Sequence, residues 1–195
     1  MNWNKQNPYL AKITTKKLLS GKQSNKEVFH YEISLGDSGI TYQPGDSIGI
    51  FPINNSALVK AIINRLQINP KYTPEGYNLN IYDLLEKKFE ILTPTNRLIK
   101  FVNDNINHNA LNHSLASKNK NILMDFKYKK DVLDFMNLDQ NLKFDVLHFL
   151  TLLKPLQHRA YSIASSNLIF KNSVHLTVST QRWQKKTRNY GGVCT

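Results

Sequence analysis

The chain has 195 residues, 41% apolar and 10% aromatic, enough for a sizeable core in one large domain or two small ones and too much for a disordered segment. No run approaches about 18 consecutive apolar residues and the N-terminus is polar, so neither a membrane span nor a signal peptide is expected; the single cysteine, Cys194, excludes an internal disulfide and fits a reducing cytoplasm. Net charge is +12, and residues 151–195 hold seven Lys/Arg and no acid, a bias that suits a phosphorylated cofactor, an acidic protein surface or nucleic acid as well as a merely solubilising face.

In chain order, Tyr9–Thr14 predicts a strand on its β-branched content, and Val28–Leu35 a cleaner one. There Phe29, Tyr31, Ile33 and Leu35 share one face and His30, Glu32 and Ser34 the other. Gly36–Gly39 breaks it. Pro44-Gly45 predicts a type II turn leading into a short strand with Ile48 and Ile50 on one face, closed by Pro52. At residue 54 the period becomes helical: Asn54-Asn55-Ser56 offers N-cap side chains ahead of Leu58, Val59, Ile62, Ile63 and Leu66. Further helices are expected over 81–89, 96–106, 128–136 and 144–153, the last with Val146, Leu147, Leu150 and Leu153 as its stripe, and residues 103–121 read as loops and short helices. From residue 159 strands return, with Val174, Leu176 and Val178 alternating against His175, Thr177 and Ser179. The polar Gln184–Tyr190 and then Gly191–Thr195 follow.

Several chemistries find no support. None of His30, His108, His113, His148, His158 and His175 stands at a zinc-site spacing from cysteine or acids, so each reads as a surface or packing residue and no metal is expected. A G-x-S-x-G elbow, a Walker loop and a G-x-G-x-x-G are all missing, and Cys194 has no neighbouring His or Asp to activate it. The informative stretch is Arg159-Ala160-Tyr161-Ser162-Ile163-Ala164-Ser165-Ser166. On a strand Arg159 and Tyr161 point the same way, a guanidinium clamp beside an aromatic plate, with Ser162 opposite. That suits a ligand with a phosphate and a flat ring; the plain alternative is a half-buried strand with a core Tyr and surface Ser and Arg. Gly191-Gly192 is either a turn or a second phosphate-holding device whose backbone N–H groups approach an anion closely.

This stretch resembles the R-x-Y-S-x-x-S-S signature of the ferredoxin-NADP reductase superfamily, and Gly192-Val193-Cys194-Thr195 is similar to its G-x-x-S/T loop in the form found in diflavin reductases. Asn7-Pro8-Tyr9, His30-Tyr31-Glu32-Ile33 and Tyr42-Gln43-Pro44-Gly45-Asp46 ending in Pro52 fit as well, most nearly to diflavin reductases of sulfite reductase type. The resemblance implies a mixed β and α fold: an antiparallel Greek-key β-barrel that binds FAD, from residues 1–55 and 157–195, with an all-helical connecting domain, residues 56–156. It further implies that Arg159 clamps the FAD pyrophosphate, that Tyr161, next to Ala160, lies against the isoalloxazine, and that Ser162 hydrogen-bonds near flavin N5 as the catalytic residue. Thr177, Val178 and Ser179 would line the flavin with backbone groups, Trp183 would stack on the adenine, Gly191, Gly192, Val193, Cys194 and Thr195 would hold the pyrophosphate from the other side, and Thr93 would lie near the FAD.

In this family an FMN-containing flavodoxin-like domain precedes the barrel and an NADPH-binding domain follows it. The chain starts just before the barrel and ends inside the phosphate loop, so it reads as a fragment, expected not to turn over NADPH alone and able to self-associate through an open barrel edge. In the intact enzyme electrons would pass from NADPH through FAD and FMN to a haem-protein subunit. The competing class is a non-catalytic module whose basic segment docks an acidic protein domain or nucleic acid.

Overall fold

Alternating side chains from residue 28 to 35 require a strand with two different faces, and the computed structural model, which describes residues 3–185 and 188–194, places one there. The chain runs through β1 (Lys12–Leu18), β2 (Glu27–Ser34) and β3 (Ser47–Ile50) into helix α1 (Ser56–Leu66) and α2 (Ile81–Lys87). After β4 (Phe89–Glu90) come α3 (Asn96–Asn105), α4 (Asn109–Ala116), α5 (Lys120–Lys127), α6 (Val132–Met136) and α7 (Val146–Leu152). The strands β5 (Lys154–Pro155), β6 (Arg159–Ser162), β7 (Ser173–Thr180), β8 (Arg182–Lys185) and β9 (Arg188–Gly191) complete the order. Two compact units result, Met1–Phe51 with His158–Thr195, and Pro52–Gln157. Among the described residues no helix is long and apolar enough to cross a membrane.

In the first unit every pairing is antiparallel. β2 lies between β1 and β7, and its ladder with β7 runs unbroken from Glu27↔Thr180 to Ser34↔Ser173. β3 pairs with β6, and an isolated bridge between Ile163 and Leu176 links the end of β6 to β7. Ile33, Leu35, Tyr42, Val174, Leu176 and Val178 form the core. The expected first strand begins later than its β-branched content suggests, because Tyr9 packs edge-on against Trp3, with ring centroids 5.1 Å apart, while Lys12–Leu18 takes the register with β2. β1 is an exposed edge strand carrying Lys12, Lys16 and Lys17, charges that discourage further pairing. Gly45, at φ +95°, and the Asp46 N–H donating to the Gln43 carbonyl close the expected type II turn.

A polar network ties the ends of this unit together. The Tyr42 hydroxyl donates to the Ser173 carbonyl at 2.9 Å, so the Ser165 hydroxyl, 2.6 Å away, must donate to the Tyr42 oxygen. Ser165 in turn accepts from the His175 N–H at 3.0 Å.

The second unit is a helical core with Leu98, Ile99, Val102, Phe135 and Phe149 among its fully buried side chains. Asn55 caps α1, accepting from the N–H groups of Ala57 and Leu58, whereas Asn54 turns away and donates to the Leu85 and Phe89 carbonyls, both at 2.7 Å. The helix expected from 81 ends at Lys87, and Phe89 enters β4, which pairs with β5. The expected helix over 128–136 is only Val132–Met136: Lys129 has φ +53°, and Asp131 starts the helix with a capping box to Asp134. α4 and the start of α5 form within 103–121. The last helix is Val146–Leu152; its expected stripe needs correction, because Leu147 is exposed while Phe149, Leu150, Leu152 and Leu153 are buried.

Arg65 on α1 donates to the carbonyls of Met136, Asp139 and Leu142, at 2.8 to 3.2 Å, gathering the segment after α6. Arg65→Ala should lower stability by about 2–3 kcal/mol, and Arg65→Lys should not restore it because the planar fork is lost. Tyr42→Phe should cost about 1–3 kcal/mol by leaving the Ser173 carbonyl and Ser165 short of a partner. Urea denaturation, read as a midpoint shift at unchanged m-value, checks all three.

Candidate functional site

Strand β6 is held by its register with β3: Ser47↔Ser162, Ile48↔Tyr161, Gly49↔Ala160 and Ile50↔Arg159. Strand alternation then sorts the signature residues, leaving Arg159 and Tyr161 half-buried and Ala160 and Ser162 exposed. Tyr161 packs against the edge of the first unit's core. Gly49 is required beside this strand, since a Cβ there would come within 2.9 Å of the His158 ring, which itself lies against Phe51. Ser165, a later member of the same signature, is buried and spent on the Tyr42 network, so its role is to anchor the segment.

On β7, Val178 is buried in the core and Thr177 and Ser179 are exposed. Arg182–Lys185 and Arg188–Gly191, on either side of two residues outside the described set, pair as β8 and β9. Trp183 and Tyr190 are cross-strand partners whose rings stack at 5.5 Å and 12°, and the Arg188 guanidinium lies 4.6 Å from the Tyr190 centroid. Two aromatics symmetric about the polar stretch were the signal for this hairpin. Tyr190 takes one face of the Trp183 indole, whose buried Nε1 has no hydrogen-bond acceptor.

The Gly192 N–H donates to the Gln181 carbonyl at 2.9 Å and Gly191 is paired with Arg182, so the double glycine serves the hairpin first. Val193 and Cys194 form a turn, and Thr195 lies outside the described residues. Cys194, half-buried, is brought beside the Tyr161 hydroxyl. Burial, and then this thiol, push the Tyr161 phenol up to about 12, while Arg159 opposes the shift. The structure therefore brings Arg159, Tyr161 and Cys194 together. Thr93 is exposed on the loop between β4 and α3 of the helical unit.

The donor set fits a dinucleotide with a pyrophosphate and flat rings. It has a guanidinium and an aromatic ring on one strand face, an exposed hydroxyl at Ser162, a turn at Cys194, and an indole N–H lacking an acceptor, in a segment without a single acid. Such a donor set, carried on antiparallel strands, suits a nucleotide cofactor.

The FAD binding domain family matches residues 1–97 and 77–195, and the chain belongs to this family. Its relatives include the sulfite reductase (NADPH) flavoprotein alpha-component of Vibrio parahaemolyticus serotype O3:K6, 33% identical over 97% of this chain and 30% of that protein. The proteins of the same name from Bacillus subtilis strain 168 and Escherichia coli O9:H4 are 29% and 31% identical over 100% and 97% of this chain, covering 33% and 32% of their own length. The chain thus spans about a third of the curated relatives it matches. The family favours the flavin reading over a nucleic-acid or docking module.

A phenol whose folded pKa is raised contributes stability that is fully present below its unfolded value, near 10, and is lost as pH rises through about 12. In a spectrophotometric tyrosine titration Tyr161 should ionise late, near pH 12, and Tyr161→Phe should remove that step.

Proposed function

We propose that this chain is the FAD-binding region of an NADPH-dependent diflavin reductase of sulfite reductase type. Residues 1–55 and 157–195 would form the antiparallel Greek-key barrel and residues 56–156 the helical connecting domain. The observation that carries this reading is the convergence of Arg159, Tyr161 and the Cys194 turn within an acid-free segment. The enzyme type is supported by the names of the relatives.

On this reading Arg159 holds the FAD pyrophosphate with two parallel hydrogen bonds, and Tyr161 lies against the isoalloxazine ring. Ala160 is small enough to let the ligand approach the strand, and the exposed Ser162 hydroxyl donates near flavin N5. Backbone groups of Thr177, Val178 and Ser179 line the ring. The adenine takes the face of Trp183 that Tyr190 leaves, and the amides of Val193, Cys194 and Thr195 complete the pyrophosphate cradle, with Gly191 and Gly192 allowing the close approach. Thr93 is a further residue assigned to the FAD on this reading. When bound, FAD supplies hydride acceptance from NADPH and one-electron delivery to the FMN of a flavodoxin-like domain and then a haem-protein partner. The basic face of residues 151–195 would steer an acidic flavodoxin-like domain into place. The single cysteine suits a cytoplasmic enzyme.

Titrating the 195-residue chain with FAD, read by flavin fluorescence and visible absorbance, should show saturable binding. Arg159→Ala should weaken it by about 10- to 100-fold, as expected for losing a charged hydrogen-bonding pair, and Arg159→Lys should recover only part of it. Saturable binding of equal affinity in wild type and Arg159→Ala would sink the assignment of the clamp, and no binding by the wild-type chain would sink the FAD reading.

A further inference from the structure

The face of the β2–β7 pair opposite the apolar core carries a second constellation that the flavin reading does not use. His30 and Glu32 stand two residues apart on β2 and so share a face, and His175 lies directly across from Glu32 on β7. One potential ligand atom from each lies within 4.8 Å of the other two. We propose that His30, Glu32 and His175 form a binding site for a divalent transition-metal cation of the zinc class, with two imidazole nitrogens and one carboxylate oxygen as protein ligands and water in the fourth position.

The distances favour co-ligands over a simple hydrogen-bonded cluster. The Nε2 atom of His30 is 3.4 Å from Oε1 of Glu32. That is long for an N–H···O bond, whose usual length is about 2.9 Å. It matches the roughly 3.3–3.4 Å edge between two ligands bonded at about 2.0–2.1 Å to one tetrahedral ion. The ligand atom of His175 lies within 4.8 Å of both.

The surroundings hold the ligands before an ion arrives. The other carboxylate oxygen of Glu32 accepts from the Thr15 hydroxyl at 3.0 Å. The buried His175 imidazole has the Ser173 hydroxyl 3.3 Å from Nε2 and the Phe170 ring packed against it at 4.2 Å. Such outer partners fix ring orientation and carboxylate geometry at metal sites. His30 and Glu32 are partly exposed, which gives an ion a path in and keeps water at the fourth position. Lys17, opposite His30 on β1, is exposed, so its ammonium can remain in water away from the ion. Two nitrogen donors and one oxygen select zinc, cobalt or nickel over magnesium and calcium, which demand more oxygen ligands.

The test uses the full 195-residue chain, stripped of metal with a chelator. Co²⁺ is added and the visible ligand-field band of a four-coordinate ion recorded; Zn²⁺ affinity is then measured by competition with a chromophoric chelator. One Zn²⁺ per chain should bind and displace Co²⁺, Mg²⁺ should not compete, and His30→Ala and Glu32→Gln should each weaken Zn²⁺ at least about tenfold. His113→Ala, on the exposed side of α4, should leave it unchanged. FAD affinity and far-UV circular dichroism of the same variants should match wild type, which separates this site from the flavin reading and from misfolding. No four-coordinate band, or equal Zn²⁺ affinity in wild type and both ligand variants, overturns the proposal.

Discussion

The eight-residue antiparallel ladder between β2 and β7 is the constraint on which the first unit depends. Its register decides that Ile33, Val174, Leu176 and Val178 face the core while Glu32 and His175 face away. A slip of one residue would exchange the two faces along the whole ladder. It also joins a strand from the first quarter of the chain to one near its end. The Ile163↔Leu176 bridge and the Ala164 N–H donating to the His175 carbonyl at 2.8 Å then fasten the end of β6 to β7. The half-buried face with Arg159 and Tyr161 hangs from that attachment.

β6 is held from its other edge by β3, and the two pairings serve different ends. The β3 partner presents Gly49 opposite Ala160, which lets His158 lie close over the strand. Because Ile50 is in register with Arg159, the chain leaves the sheet after β3 and returns at β6 through adjacent positions, whatever it does between them. The Tyr42, Ser165 and Ser173 network then keeps the segment after β6 from peeling away. The signature stretch is thus divided by burial: its first residues offer groups outward, and Ser165 is consumed inside.

In the helical unit, polar side chains organise backbone more than they meet each other. Asn54 answers two carbonyls near the end of α2, Arg65 answers one at the last residue of α6 and two after it, and Arg97 donates to the Leu153 carbonyl at 2.9 Å beyond α7. Thr95 caps α3 and its hydroxyl also donates to the Leu152 carbonyl. Each satisfies carbonyls that the end of a helix or the following turn leaves open. Short helices of five to eight residues, such as α4 to α7, have too little length to stand alone, so this stapling and the shared apolar core set where they stop.

Local chemistry was legible wherever it was self-sufficient. The alternation of residues 28–35, the Pro44-Gly45 turn, the Asn55 cap and the α1 stripe each follow from period and turn chemistry, as does the placing of Arg159 and Tyr161 on one face of β6. Misplacements occurred where a partner decided the outcome. The first strand shifted to suit the register of β2, the helix before Met136 was cut short by Lys129 and the Asp131 capping box, and the β8–β9 hairpin depended on Trp183 meeting Tyr190 across it. The sequence by itself determined the strand, helix, strand order, because that rests on neighbours within a few residues. Tertiary structure alone decided that Cys194 sits beside Tyr161 and that His175 faces His30 and Glu32, because pairing between distant strands sets those proximities and no local spacing encodes it.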